Sequence, residues 1–412
     1  VQRRKFIQLI SAFSTLGLLP QARVWAAATT EAKHAKKLLV VFLRGAVDGL
    51  SVVAPYAEPE YSTGRKRIVL APPGRDGGLI DLDGHFGLHP ALAPLADLWR
   101  EKSLAFVHAC GSPDASRSHF DAQDYMESGT PGHKTTADGW MNRLLSVLPG
   151  GTENPVAAVN FGPTVPRVLA GKNPVANVDL PGRGKRQAKP LDRPQVRATF
   201  DRLYGGKDAL SRAYQQSQQA RERLTADEPP DMEGAGRGAP PAQSLASNAA
   251  RAAQILSKQA GTQLGFLALG GWDTHVNQGA AQGQLANRLR PLGEGLASLV
   301  RGLGKSYADT VIVVMSEFGR TVNENGNAGT DHGHGNVMWV LGGPVRGGQV
   351  YGDWPGLARD KLFEGRDLAV TTDFRSAIGT VLSGHFGLGA SARNRVFPNL
   401  PEEPSSLKAL LA

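Results

Sequence analysis

Five apolar, mostly β-branched runs limit what this chain can fold into more than any other feature. They are LLVVFLRG (38–45), SLAFVHACG (103–111), GFLALGG (265–271), TVIVVMSEFG (310–319) and NVMWVLGG (336–343). None alternates cleanly between apolar and polar residues, which is the pattern of strands covered on both faces. Helical segments lie between some of them. HPALAPLADLWREK, residues 89–102, has a proline in its first turn and an apolar face. Between 281 and 305, Leu285, Leu289, Leu292, Leu296, Leu299 and Leu303 recur at steps of four and three, one apolar helix stripe. Pro291 and two glycines predict a kink there. Strands alternating with helices predict an α/β fold with a mostly parallel central sheet and helices on both faces.

In such sheets chemistry collects outside the carboxyl ends of the strands. After the first run come Asp48 and Ser51, and after the second Ser112, Asp114, Ser116, Arg117, Ser118 and His119. The third is followed by Asp273 and His275. The fourth ends at Glu317 and Arg320 and leads into GTDHGHGN, with Asp331, His332 and His334. Ten histidines serve the whole chain, so two in this one loop is a concentration. Asp273 and His275 are two apart, as are His332 and His334, so in extended segments each pair points one way. Carboxylate oxygen with imidazole nitrogen suits zinc, manganese or iron. An ion there could activate water, and two could clamp a phosphoryl or sulfuryl transfer.

Plainer roles compete at each position. Asp331 and His332 could be a hydrogen-bonded loop pair. Glu317 and Arg320 could be an ion pair, and Asp48 a turn aspartate before Gly49. Ser118 fits a helix N-cap, with Asp121 three residues later, yet a helix start after a strand also suits a nucleophile or a bound anion. Ser116, Arg117 and Ser118 together resemble an anion grip. His85 and His89 read as loop contacts and helix entry. Asp373 reads as a cap and ion-pair partner for Arg375.

Residues 1–28 read as an export signal: Arg3-Arg4-Lys5 precede a short apolar run, then small residues at Ala26–Ala28. The paired arginines resemble a twin-arginine signal, which makes the twin-arginine export machinery a partner and the periplasm the expected location. The run is too short for an ordinary membrane span. Arg3, Arg4, Lys5 and Arg23 carry four of the formal +9 charges, and 181–197 holds another basic cluster. The basic balance is local, with no aromatic-interleaved stripe that would suit nucleic acid. Cys110 is the only cysteine, which excludes an intrachain disulfide and a cysteine zinc site. Residues 181–243 are polar and rich in Gln, Arg, Pro and Gly, a helical or low-complexity insertion in an otherwise single domain over 29–412.

Taken in order, RGAVDGLS, LHPAL, RSHFDAQDYMESG, GGWDTH, SEFGRT, GTDHGHGN and TTDFRS resemble the exported bacterial proteins grouped as domain of unknown function 1501. That family looks like a distant branch of the alkaline phosphatase and sulfatase superfamily. The resemblance implies an alkaline-phosphatase-like fold with a bimetal site. By position, Asp48 matches the first metal-binding aspartate and the serines around Arg117 the nucleophile region. Asp273 and His275 match one metal's pair, and His332 or His334 a later metal histidine. The sequence departs where the fourth strand ends. Glu317-Phe318 stands in place of an aspartate–histidine pair, and Asp331-His332 comes later.

The expected function is an exported, metal-dependent hydrolase of phosphate or sulfate esters. Asp48, Asp273, His275, Glu317, Asp331, His332 and His334 would serve one or two ions of zinc, manganese, iron or calcium. Ser116 or Ser118 would be nucleophile or anchor for a small anionic ester, with Arg117 or Arg320 on the anion. The alternative is a non-catalytic metal- or ligand-binding envelope protein on the same fold.

Overall fold

The computed structural model describes residues 35–178, 200–206, 208, 210–216, 239–259 and 261–412. The signal segment and most of 181–243 lie outside the described residues. Within that stretch 200–203 and 210–216 are helical, and its last residues open a long helix.

All five apolar runs are strands: β1 (Lys37–Leu43), β2 (Leu104–Gly111), β5 (Leu264–Leu269), β6 (Thr310–Ser316) and β7 (Asn336–Gly342). Four shorter strands complete the sheet: β3 (Ala158–Phe161), β4 (Ala176–Val178), β8 (Val350–Tyr351) and β9 (Thr372–Asp373). The order is β8-β2-β7-β6-β1-β5-β3-β4, with β9 also beside β2. β1 runs parallel to β5 and β6, with Leu38 level with Leu264 and Val311. β7 is antiparallel to both β6 and β2, the one departure from a parallel arrangement among the long strands. Hence β1, β2, β5 and β6 end at one edge, and β7 begins there.

β1 shows why the runs are so apolar. Leu39, Val41 and Leu43 face one core, shared with helices α2 (Ala242–Lys258) and α3 (Gln284–Leu303). Leu38, Val40 and Phe42 face the other, shared with Trp140, Leu144 and α4 (Phe374–Phe386). Both faces are covered, so each side chain gains roughly 1.5–3 kcal/mol of burial, an upper estimate.

The leucine stripe of α3 is buried throughout. The helix is continuous through Pro291. Its glycines are used for packing: a Cβ on Gly295 would stand 2.6 Å from Leu245 Cγ of α2. Residues 89–102 differ from the single expected helix. Pro94 has no N–H to donate, and the first half is a 3₁₀ turn (Pro90–Leu95) before a short α-helix (Ala96–Arg100). No helix of the described residues is long and apolar enough to cross a membrane.

Candidate metal centre

Four side chains from three loops meet at the carboxyl edge. Helix α1 (His119–Ser128) follows β2, and Ser118 caps it by accepting from the Asp121 N–H, as its sequence predicts. That cap fixes the helix start and aims His119 along the sheet edge. Its Nδ1 donates to Glu317 Oε1 at 2.8 Å, and its ring stacks on Phe318. Its Nε2 is buried without a hydrogen-bond partner, 3.6 Å from Asp273 Oδ2.

Asp273 is delivered by the turn after β5. Here Gly45, at φ +114°, lets the exit of β1 pass so close that a Cβ would lie 2.8 Å from the Asp273 nitrogen. Asp273 Oδ1 receives Arg320 Nη2 at 2.5 Å and lies 3.1 Å from His275 Nε2 and 3.5 Å from His332 Nε2. His332 Nδ1 donates to the Arg117 carbonyl at 2.8 Å. His275 Nδ1 faces Asp331 Oδ1 at 3.1 Å.

The tautomers follow from these partners. A carbonyl or carboxylate oxygen only accepts, so Nδ1 of all three rings carries the proton. The Nε2 atoms of His275 and His332 face one another at 2.9 Å, and each also faces Asp273 Oδ1, at 3.1 and 3.5 Å. A proton on one ring, or a cation between the two, accounts for nitrogens at that distance. Histidines whose far nitrogen is held by a carboxylate or a carbonyl are the usual form of metal-ligating imidazole. The ligand atoms of His119, Asp273 and His332 lie within 4.8 Å of one another, and His275 Nε2 flanks this group, 2.9 Å from His332 Nε2 and 3.1 Å from Asp273 Oδ1.

Electrostatics point the same way. Burial works to raise the Asp273 pKa, but His119, His332 and Arg320 outweigh it and keep the carboxyl ionised far below its usual range. Burial works against the His119 cation, yet Asp273 and Glu317 raise its pKa to about 9. A metal ion bound there would take that proton's place. Burial likewise works against the Glu317 carboxylate, and hydrogen bonds from His119 and Gln123 overcome it.

A family model described as protein of unknown function, DUF1501, matches residues 99–397. The chain belongs to this family. The matched stretch includes every side chain of the DUF1501 cluster, while RGAVDGLS and LHPAL precede it. No curated protein matches the chain. Among solved structures, it is similar to the C-terminal periplasmic domain of EcEptC from Escherichia coli (12% identity, 90% of this chain and 89% of that one, TM-score 0.40). It is also similar to a protein in the alkaline phosphatase superfamily from Vibrio parahaemolyticus (12%, 75% and 60%, TM-score 0.33). A third is the PsFucS1 sulfatase from Pseudoalteromonas sp. (14%, 78% and 65%, TM-score 0.34). Likeness at this level speaks to neither activity nor substrate.

The remaining sequence candidates of this DUF1501 chain sit elsewhere. Asp48 is wholly buried and bonds to Arg65, Ser51 and Gln278. Arg320 is wholly buried too, and besides Asp273 it holds the Gly45, Ala46 and Thr330 carbonyls. Its ion-pair partner is therefore Asp273, and Glu317 pairs with His119 instead. Asp331 pairs with His275, not with its neighbour His332. His334 packs on Phe363, ring centroids 4.4 Å apart, and burial lowers its pKa. Arg117 is ion-paired to Asp367 and Glu364. Ser116 Oγ accepts from the Ser118 N–H, and among the described residues no base is hydrogen-bonded to either serine hydroxyl. His89 and Asp373 cap their helices as expected, and Asp373 also pairs with Arg375. His119, which follows the second apolar run, is the cluster member absent from the ligands expected from sequence. On the same sheet face as α1, a cavity of about 220 Å³ opens beside Arg44, Asn160, Phe161, Arg167 and Phe266.

Proposed function

We propose that this protein is an exported, metal-dependent hydrolase of phosphate or sulfate esters, with His119, Asp273, His275 and His332 holding the ion. The observation that carries the reading is the convergence of three imidazole Nε2 atoms on one ionised carboxylate. Three nitrogens and one carboxylate fit zinc, and also manganese or iron, but not calcium, which takes six to eight oxygens. A divalent ion bound there supplies positive charge at the reacting phosphoryl or sulfuryl oxygens. The chain does the rest. Glu317, Asp331 and the Arg117 carbonyl orient the rings, and Arg320 fixes Asp273. Arg117, about 30% exposed and ion-paired to Glu364 and Asp367, is with Ser116 and Ser118 the proposed anchor for the ester's free oxygens. With no base at either serine, water is the acceptor. Export rests on Arg3-Arg4 and the apolar run after them.

The test is turnover of 4-nitrophenyl phosphate, bis(4-nitrophenyl) phosphate and 4-nitrophenyl sulfate by the zinc- or manganese-loaded chain. The wild type hydrolyses at least one, and an Asp273→Ala/His275→Ala variant with an unchanged circular dichroism spectrum hydrolyses none. Equal turnover by both would refute the assignment. A metal-loaded wild type inert on all three would favour a non-catalytic metal-binding protein, a reading that the absence of a base at the serines supports.

A further inference from the structure

We infer that the centre takes one divalent ion, not two, and that Arg65 supplies a permanent cation at Asp48 where a second ion would otherwise sit. This rests on the metal reading above and narrows it. The family resemblance places Asp48 on a metal, and the structure gives its carboxylate to a guanidinium. Arg65 Nη1 and Nη2 approach the two Asp48 oxygens at 2.5 and 3.0 Å in a bidentate pair, and both side chains are wholly buried. Oδ2 also accepts from Ser51 Oγ and Gln278 Nε2, each at 2.7 Å. Arg65 is equally saturated, since its Nε donates to the Val322 carbonyl and Nη2 to that of Thr321. An ion could reach Asp48 only by expelling this guanidinium from a site where it has every hydrogen bond it can make.

The other acids that could complete a second site are also occupied. Glu317 Oε1 accepts from Gly45 N, His119 Nδ1 and Gln123 Nε2, and Oε2 lies 2.9 Å from Ser316 Oγ. Asp367 is shared between Arg117 and Arg366. Charge agrees with ligand count. Around the cluster stand Asp273, Glu317 and Asp331 against the guanidinium of Arg320, a net charge that one divalent ion neutralises. A second would leave the cluster strongly positive and place an ion beside Arg320.

The experiment is metal stoichiometry on the full chain, loaded with excess zinc, desalted and measured by inductively coupled plasma mass spectrometry. One ion per chain is expected in the wild type, one in Asp48→Asn, and none in Asp273→Ala/His275→Ala. Two ions in the wild type, falling to one in Asp48→Asn, would overturn the one-ion inference and leave the metal reading standing. No ion in the loaded wild type would overturn both. Because Asp48→Asn could fail to fold, cobalt(II) titration of the wild type gives a second measure. Its visible d–d absorption reaches its end point at one equivalent, and an end point at two overturns the inference.

Discussion

Replacing Glu317 by glutamine isolates one charge. Glu317 Oε1 accepts three N–H groups, from Gly45, His119 and Gln123, at 2.8–2.9 Å. A glutamine carbonyl can accept the same three. Its amide can donate to Ser316 Oγ, which is free to accept because its own proton can go to the Leu43 carbonyl at 2.5 Å. The hydrogen-bond pattern therefore survives and the negative charge does not. His119 loses the partner that makes its Nε2 a strong donor. Loss of an orienting group behind a ligating histidine costs about 10–100-fold in metal affinity, about 1.4–2.7 kcal/mol. An upper bound comes from Coulomb's law. The lost charge lies roughly 7 Å from an ion on Nε2, and at an effective dielectric near 20 that is about 5 kcal/mol. The expected loss sits below this ceiling, as it should for a cluster partly open to water. Zinc affinity is measured by competition with a chromogenic chelator, with the melting temperature as the control for folding. In a His119→Ala background the same substitution should have little further effect. Wild-type affinity in Glu317→Gln, with the fold intact, would show that the Glu317 charge does not act on the ion through His119.

Two further outcomes concern the scaffold. Arg65→Met leaves a wholly buried Asp48 without its counter-charge, a loss of about 3–5 kcal/mol; for the roughly 330 described residues this lowers the melting temperature by about 4–7 °C. In the wild type, burial works to raise the Asp48 pKa but Arg65 and the hydrogen bonds depress it, so its stabilisation is present above the unfolded carboxylate value and lost as pH falls through the folded one. In Arg65→Met the Ser51 and Gln278 hydrogen bonds remain but the guanidinium that offsets burial is gone, so that pKa rises and the stability gap to the wild type should narrow in urea unfolding as pH drops from 7 toward 4. A constant gap would mean that Asp48 is not the group left unpaired. Gly295→Ala gains about 1 kcal/mol of helix propensity but puts a Cβ 2.6 Å from Leu245 Cγ, overpacking that costs about 1–3 kcal/mol. The clash should win and lower the melting temperature; a rise would mean that α2 and α3 have slack at this contact.

The fold was legible wherever burial on both faces wrote a continuous apolar run. β1, β2, β5, β6 and β7 all did this. β3 (AVNF) and β4 (ANV) did not, because three- and four-residue strands carrying asparagine leave no periodic signal. Strand direction was not legible either. NVMWVLGG reads like its parallel neighbours, and only the register shows it antiparallel between β2 and β6. That reversal matters for the site. The loop from Glu317 to Gly335 leaves β6 at the carboxyl edge and re-enters β7 at the same edge, so GTDHGHGN never has to cross the sheet.

At the site, the two-residue spacing rule succeeded once and failed once, and the difference is tertiary. Asp273 and His275 leave β5 in a segment that keeps both side chains on one side, 3.1 Å apart. His332 and His334 have the same spacing, but their backbone is pinned against 319–321: Gly333 donates to the Gly319 carbonyl, Gly319 donates to the His334 carbonyl, and His332 bridges Arg320. A Cβ on Gly333 would lie 2.4 Å from the Arg320 carbonyl carbon, so the glycine is what allows this close approach. His332 turns to Asp273 while His334 turns to Phe363. His119 was obscured for the opposite reason. Ser118 and Asp121 give its segment a complete local explanation as a helix cap, and the cap is real. A local role and a place in the centre are not rivals there, since capping at Ser118 is what holds the His119 ring over Glu317 and Asp273.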